Sequence, residues 1–176
     1  MFDLLIKNID IADGSGNPIY HGNVGIKNGK IEYVGKSLPE NGNPDSYLDE
    51  KSAALIIEGK KDELLTPGFI DTHTHGDLQS VLDPFVRTQL LQGVTYSICG
   101  NCGISAAPVS EKNFSILKDY CKPVLPFDSL DEEWKTWTSF KKYLDSIKKR
   151  NPVFQTAALV GQGTLRIAVM GMDNRE

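Results

Sequence analysis

Apolar and polar positions follow one rhythm up to about residue 62 and another beyond it, and the two halves predict different architectures. In the first half, short apolar runs are separated by turn residues. Asp3-Leu4-Leu5-Ile6, Asn23-Val24-Gly25-Ile26-Lys27, Lys30-Ile31-Glu32-Tyr33-Val34 and Ala53-Ala54-Leu55-Ile56-Ile57 each read as a strand. Asn28-Gly29 predicts a two-residue hairpin turn, because such turns need positive φ at both central positions. The polar stretch from Lys36 to Ser52, with Pro39, Asn41, Gly42, Asn43 and Pro44, predicts an exposed loop.

From residue 63 on, helical periods separate the apolar runs. The Pro67-Gly68 turn opens a strand that begins at Phe69 and carries on through His75. Val81 to Gln92 has helical spacing and is closed by Gly93, and Val94-Thr95-Tyr96-Ser97-Ile98-Cys99 is a second, buried-type strand. Ser129-Leu130-Asp131-Glu132 is a capping box, after which Trp134, Trp137, Phe140, Leu144 and Ile147 recur every three or four residues. That period makes the aromatics core packing rather than a cofactor site. Asn151-Pro152 breaks the helix, and Phe154 to Val160 is a third strand ending at Gly161. Strand, helix, strand, helix, strand predicts a parallel α/β layer.

Composition adds exclusions. With 176 residues, 40% hydrophobic and 24% charged, this is an ordinary soluble globular composition. A net charge of −4 offers no electrostatic footprint for nucleic acid or an anionic membrane. The basic run Lys141-Lys142 through Lys148-Lys149-Arg150 falls on a helix and reads as its wet face. No apolar run approaches the roughly 20 residues that span a bilayer, and the acidic N-terminus does not read as a signal peptide. Three cysteines make no disulfide framework, so a cytoplasmic, reduced protein is the expectation.

The candidate chemistry sits on the first strand of the second half, Phe69-Ile70-Asp71-Thr72-His73-Thr74-His75. Residues i and i+2 of a strand share a face, so His73 and His75 project together with Asp71 below them. Two imidazoles about 7 Å apart along a strand can converge on one ion, and Zn²⁺ accepts neutral imidazole readily. His21, in Tyr20-His21-Gly22-Asn23, reads as a solvated loop residue. The second strand ends in Cys99-Gly100-Asn101-Cys102-Gly103. A zinc knuckle would need a second Cys or His pair, which Cys121 alone does not supply, and a redox dithiol should open a helix. Parallel α/β sheets bind ligands outside the carboxyl ends of their strands, which is where His73, His75 and Cys102 fall. An inert buried thiol is the competing reading for Cys102 and the favoured one for Cys99. Cys121, before Lys122-Pro123, reads as part of a connector.

Gly68-Phe69-Ile70-Asp71-Thr72-His73-Thr74-His75, Gly93-Val94-Thr95, Gly100-Asn101-Cys102-Gly103, Gly163-Thr164-Leu165-Arg166 and Val169-Met170-Gly171 together resemble the D-aminoacylase family, the N-acyl-D-amino-acid deacylases of the amidohydrolase superfamily. The His-x-His strand is common to the superfamily, whereas Gly-Asn-Cys-Gly is the narrower signature. The resemblance implies a (β/α)₈ barrel beside a small β-sandwich, with one or two zinc ions at the barrel mouth. It implies that His73, His75 and Cys102 are metal ligands. Further histidines and a general-base aspartate would come from later strands, which this chain does not contain. Where the family often reads Gly-His-Gly, this chain has Gly161-Gln162-Gly163, and glutamine cannot titrate near neutral pH.

A complete barrel of this kind needs roughly 250 residues, far more than follow Phe69. Residues 1–62 are therefore expected to form part of a β-sandwich and 63–176 the first three βα units of a truncated barrel. The expected parent activity is zinc-dependent hydrolysis of small N-acyl-D-amino acids, in which the metal activates water and polarises the amide carbonyl. Asp71 would support an imidazole or bond to backbone. The isolated chain is expected to be inactive. Two alternatives stand beside this: a dihydroorotase- or hydantoinase-like cyclic-amide hydrolase, and a non-catalytic half that needs a complementary chain.

Overall fold

A computed structural model of the protein describes residues 1–36, 53–130 and 132–174. The predicted loop beyond Lys36, and Asp131 of the predicted capping box, lie outside the described residues. The chain divides into two compact units, Met1–Pro67 and Gly68–Glu176.

The first unit contains strands β1 (Phe2–Ile11), β2 (Tyr20–Lys27), β3 (Lys30–Lys36), β4 (Ala53–Glu58) and β5 (Leu64–Leu65). They form one sheet in the order β3-β2-β1-β4, with β5 also paired to β1. β2 runs antiparallel to both β1 and β3, whereas β4 and β5 run parallel to β1. Asn28 and Gly29 both have positive φ, 51° and 71°, which a tight turn between antiparallel strands requires. Ile9, Ile11 and Val24 are buried, with Ile6, Tyr20, Ile26 and Leu65 packed against them. β1 breaks register between Ile6 and Ile9, where Asn8 has a φ of 53° and its N–H donates to Asn23 Oδ1 at 3.0 Å. The unit extends past residue 62 because Leu64 and Leu65 pair with Asp10 and Ile11. His21 is a strand residue rather than a loop residue. It lies opposite Asp10, with Nδ1 3.0 Å from Asp10 Oδ1, and it is exposed.

The second unit is built on strands β6 (Phe69–Asp71), β7 (Val94–Cys99) and β8 (Gln155–Ala158), parallel and in that order. Its helices are α1 (Gln79–Leu82), α2 (Arg87–Leu90), α3 (Phe114–Cys121), α4 (Phe140–Lys149) and α5 (Gln162–Met170). The single helix predicted over Val81–Gln92 is instead two short ones. Pro84 has no N–H and disfavours a helical residue before it, and Asp83 is extended at φ −137°, ψ 105°.

The predicted aromatic helix divides as well. Tight 3₁₀ turns occupy Phe127–Ser129 and Glu132–Thr136, and the α-helix proper starts only at Phe140, where the Ser139 side chain accepts from Lys142 N at 3.3 Å. The buried face shifts accordingly: Tyr143 and Ile147 point inward, while Leu144 is exposed. Trp134 and Trp137 are buried, Trp134 stacking on Phe114 at 3.8 Å between centroids and Trp137 packing on Tyr143 at 5.1 Å. Each such pair contributes about 0.5–1.5 kcal/mol beyond area burial. Cys121 is not in a connector but is the last residue of α3, where it and Leu117 supply the buried face. Among the described residues no helix is long and apolar enough to cross a membrane.

Candidate metal centre

The β6 ladder stops at Asp71, so His73 and His75 are not strand residues as the period-2 pattern predicts. The chain nevertheless keeps running beside β7, because Thr74 N donates to Ile98 O at 3.2 Å. This preserves the projection of both histidines to one side, with ring centroids 6.0 Å apart and planes at 81°. Asp71 Oδ1 accepts from His73 N at 3.1 Å, a bond to backbone rather than to an imidazole.

Cys102 enters from the loop after β7. Gly100, Cys102 and Gly103 all have left-handed φ, 78°, 54° and 78°, which turns the chain back over the end of the sheet. A left-handed conformation at a residue with a Cβ costs about 1 kcal/mol. It brings Cys102 Sγ to 3.2 Å from His73 Nε2. One donor atom from each of His73, His75 and Cys102 lies within 4.8 Å of the others. Two nitrogens, or a nitrogen and a sulfur, on one tetrahedral zinc are about 3.3–3.6 Å apart, so small side-chain rotations would close the set on an ion. His75 Nδ1 is buried without a hydrogen-bond partner among the described residues. His73 and Cys102 are exposed and His75 is half-buried.

The two halves of the Cys-x-x-Cys pair are separate in kind. Cys99 is fully buried 3.9 Å from the Tyr143 hydroxyl, and burial pushes its thiol up to about 12. Cys121 is likewise buried and pushed up to about 12 by desolvation. All three cysteines are free thiols. Gln162 is exposed at the first position of α5.

Several further residues shape this centre; Asn101 and Thr164 lie in the segments that carry the resemblance but have no role assigned there, and Asp77 lies outside them. Asp77, only 1% exposed, accepts from Gly100 N at 3.3 Å through Oδ2 and from Ala106 N at 3.2 Å through Oδ1. Burial raises its carboxyl above the ordinary value, and the two N–H donors act against that rise. The Tyr143 hydroxyl donates to the Asp77 carbonyl at 2.6 Å. Asn101 Nδ2 donates to Thr74 O at 3.2 Å and to Ile98 O at 2.8 Å. Beyond Cys102, Ser105 N donates to Thr164 Oγ1 at 2.9 Å, and that hydroxyl donates back to Ser105 O at 3.0 Å. Gly161 N donates to Ser105 Oγ at 3.0 Å. The end of β8 lies so close to this loop that a Cβ at Gly161 would sit 2.5 Å from Gly103 O, and one at Gly100 would collide with Leu159 backbone.

No protein-family model matches the chain. D-aminoacylase of Alcaligenes xylosoxydans xylosoxydans is 32% identical over 170 residues, covering 96% of this chain and 31% of the relative. The N-acyl-D-aspartate deacylase of the same organism is 30% identical over 168 residues, covering 96% of this chain and 30% of the relative. A D-aminoacylase structure with a binuclear metal centre superposes with a TM-score of 0.75 at 32% identity, covering all 100% of this chain and 33% of that one. The N-acyl-D-glutamate deacylase of Bordetella bronchiseptica, complexed with zinc and a phosphonate mimic of the tetrahedral intermediate, gives 0.72 at 28% identity, with 98% and 32% covered. The chain thus spans about a third of the length of the relatives it matches. Over nearly all of its residues the chain is similar in sequence and in backbone to about a third of D-aminoacylase-family amidohydrolases.

Proposed function

We propose that this chain supplies His73, His75 and Cys102 as metal donors to a zinc-dependent amidohydrolase that cleaves N-acyl-D-amino acids to a D-amino acid and a carboxylate. The carrying observation is the convergence of two imidazoles and one thiol within 4.8 Å, from two segments that leave neighbouring parallel strands. The donor chemistry fits zinc, for which mixed imidazole and thiolate sets are common. The buried, unpartnered Nδ1 of His75 fits an incoming ion, because a buried polar atom otherwise forfeits its hydrogen bond. The strained φ of Cys102 fits as well, since such conformations persist where the side chain has a task. The names of the relatives support the substrate class.

In this reading β6, β7 and β8 are the first three strands of a (β/α)₈ barrel, and the Met1–Pro67 sheet is part of a β-sandwich. The exposed Phe69 and Ile70 on β6 support a sheet that a closed barrel would cover. One or two zinc ions, once bound, would supply Lewis acidity to activate water and polarise the amide carbonyl. His73 and His75 would bind as neutral imidazoles and Cys102 as a thiolate, so binding would release a proton. Asp71 would hold the His73 backbone, and with it the direction of that ring. The general base would lie outside this chain. Three free thiols fit a reducing compartment.

Titration with Zn²⁺ against a competing chelator tests this. The chain is expected to bind, and Cys102→Ser to bind at least 10-fold more weakly. Equal affinity in the two proteins would remove Cys102 from the centre. The 176-residue chain is expected to show no turnover on N-acetyl-D-amino acids, whereas a protein of the relatives' full length should hydrolyse them in preference to cyclic amides.

A further inference from the structure

The ladder bonds of β6 and β7 end at Asp71 and Cys99, short of all three donors. Beyond that point one backbone bond, Thr74 N to Ile98 O, still joins the two segments, and two side chains add to it. Asn101 spends both hydrogens of its amide on the carbonyls of Thr74, between the two histidines, and Ile98, at the end of β7. Asp77 follows His75 by two positions and brackets the Cys102 turn, accepting from Gly100 N before it and Ala106 N after it. The Tyr143 hydroxyl anchors Asp77 from α4 through its carbonyl.

We infer that Asp77 and Asn101 are positioning residues, a clamp that sets Cys102 opposite His73 and His75 before any ion arrives. The inference rests on the metal-site reading and extends it to two residues that donate nothing to the metal. The turn they hold is the strained one. Cys102 at φ 54° would relax towards right-handed backbone if released, carrying its sulfur away from His73. Both partners are matched in kind: two backbone N–H groups face a carboxylate, and two carbonyls face an amide nitrogen. Substitution leaves specific mismatches. Asp77→Asn turns an NH₂ towards a backbone N–H, and Asn101→Ala takes the side-chain donor from Thr74 O and leaves Ile98 O with Thr74 N alone.

The test loads the 176-residue chain, Asp77→Asn, Asn101→Ala and an Asn113→Ala control with Co²⁺ and with Zn²⁺. Affinity is read by competition with a chelating indicator, and thiolate ligation by the sulfur-to-cobalt charge-transfer absorption. Asn113 ties α3 to α5 by donating to Ile167 O at 2.8 Å and, among the described residues, shares no partner with Asp77 or Asn101, so its loss lowers stability without touching the clamp. Expected for both clamp variants is a 10–100-fold loss of affinity with a weakened thiolate band, native circular dichroism, and wild-type affinity in the control. Should Asp77→Asn fail to fold, Asn101→Ala decides alone, its side chain being only partly buried. Unchanged affinity and band in the clamp variants overturns the inference while the metal site stands, as does an equal loss in the control. A wild-type chain that takes up neither metal overturns the site itself and the clamp with it.

Discussion

At the residue scale, the three thiols differ by environment more than by sequence. Cys99 and Cys121 are fully buried, their thiols pushed up to about 12 by desolvation, and neither meets solvent. Cys102 is exposed beside an imidazole. Iodoacetamide on the native chain should therefore modify Cys102 long before the other two, and bound zinc should slow that reaction. Peptide mapping by mass spectrometry reads the order; alkylation of Cys99 at a matching rate would contradict the buried placement. The residues proposed as donors were marked in the sequence by short patterns: His73 and His75 stand two apart, and Cys102 lies in the Gly-Asn-Cys-Gly segment after a strand. Asp77 was not, and Asn101 stood in the Gly-Asn-Cys-Gly segment with nothing to say what it bonds. Their partners lie up to 29 residues away, at Ala106, and no local spacing encodes a bond of that span.

At the element scale, periodicity located β7 to the residue and the aromatic core well, but overran helix boundaries wherever a local backbone signal interrupted it. Pro84 ended one helix, and Ser139, a side-chain cap, started another ten residues later than the predicted capping box. Helix α3 has no clear period in the sequence although Leu117 and Cys121 stand four apart, because Phe114, Ile116 and Tyr120 are apolar as well and blur the buried face. The divided aromatic segment is tied together by Glu133, whose carboxylate takes Arg150 at 2.6 and 3.2 Å and Ser146 Oγ at 3.0 Å. The Arg150 guanidinium, more than Ser146, holds the Glu133 carboxyl below the usual range against a partial desolvation. A folded-state pKa below the unfolded one gives stability that is complete above the ordinary glutamate range and is lost as pH falls through the folded value. Both side chains are partly solvated, so the contribution is about 0.5–1 kcal/mol. Urea midpoints at pH 6 and pH 3 should fall further for wild type than for Glu133→Gln. Parallel declines would show that the pair contributes nothing.

For the whole molecule, the lesson is one of exposed sheet. Leu78, Trp137, Tyr143, Phe127 and Leu117 give the second unit a real core, yet Phe69 and Ile70 on β6 remain 58% and 62% exposed, and Leu159 and Val160 just after β8 are 51% and 40% exposed. Among the described residues β6 and β8 are also the two edges of a parallel sheet, with no strand laddered on their outer sides. Soluble domains cover or charge such edges, because an open apolar strand pairs with whatever strand it meets. A chain spanning a third of its relatives' length and carrying this face should therefore self-associate. Sedimentation velocity is expected to show mass rising with concentration across the micromolar range. Ile70→Lys, which places a charge on exposed β6 without touching the donors or the core, should suppress that rise while leaving the thermal midpoint within a few degrees. A wild-type chain that stays monomeric throughout would mean that the face is tolerated as it stands, and would withdraw the main physical support for a covered barrel strand at β6.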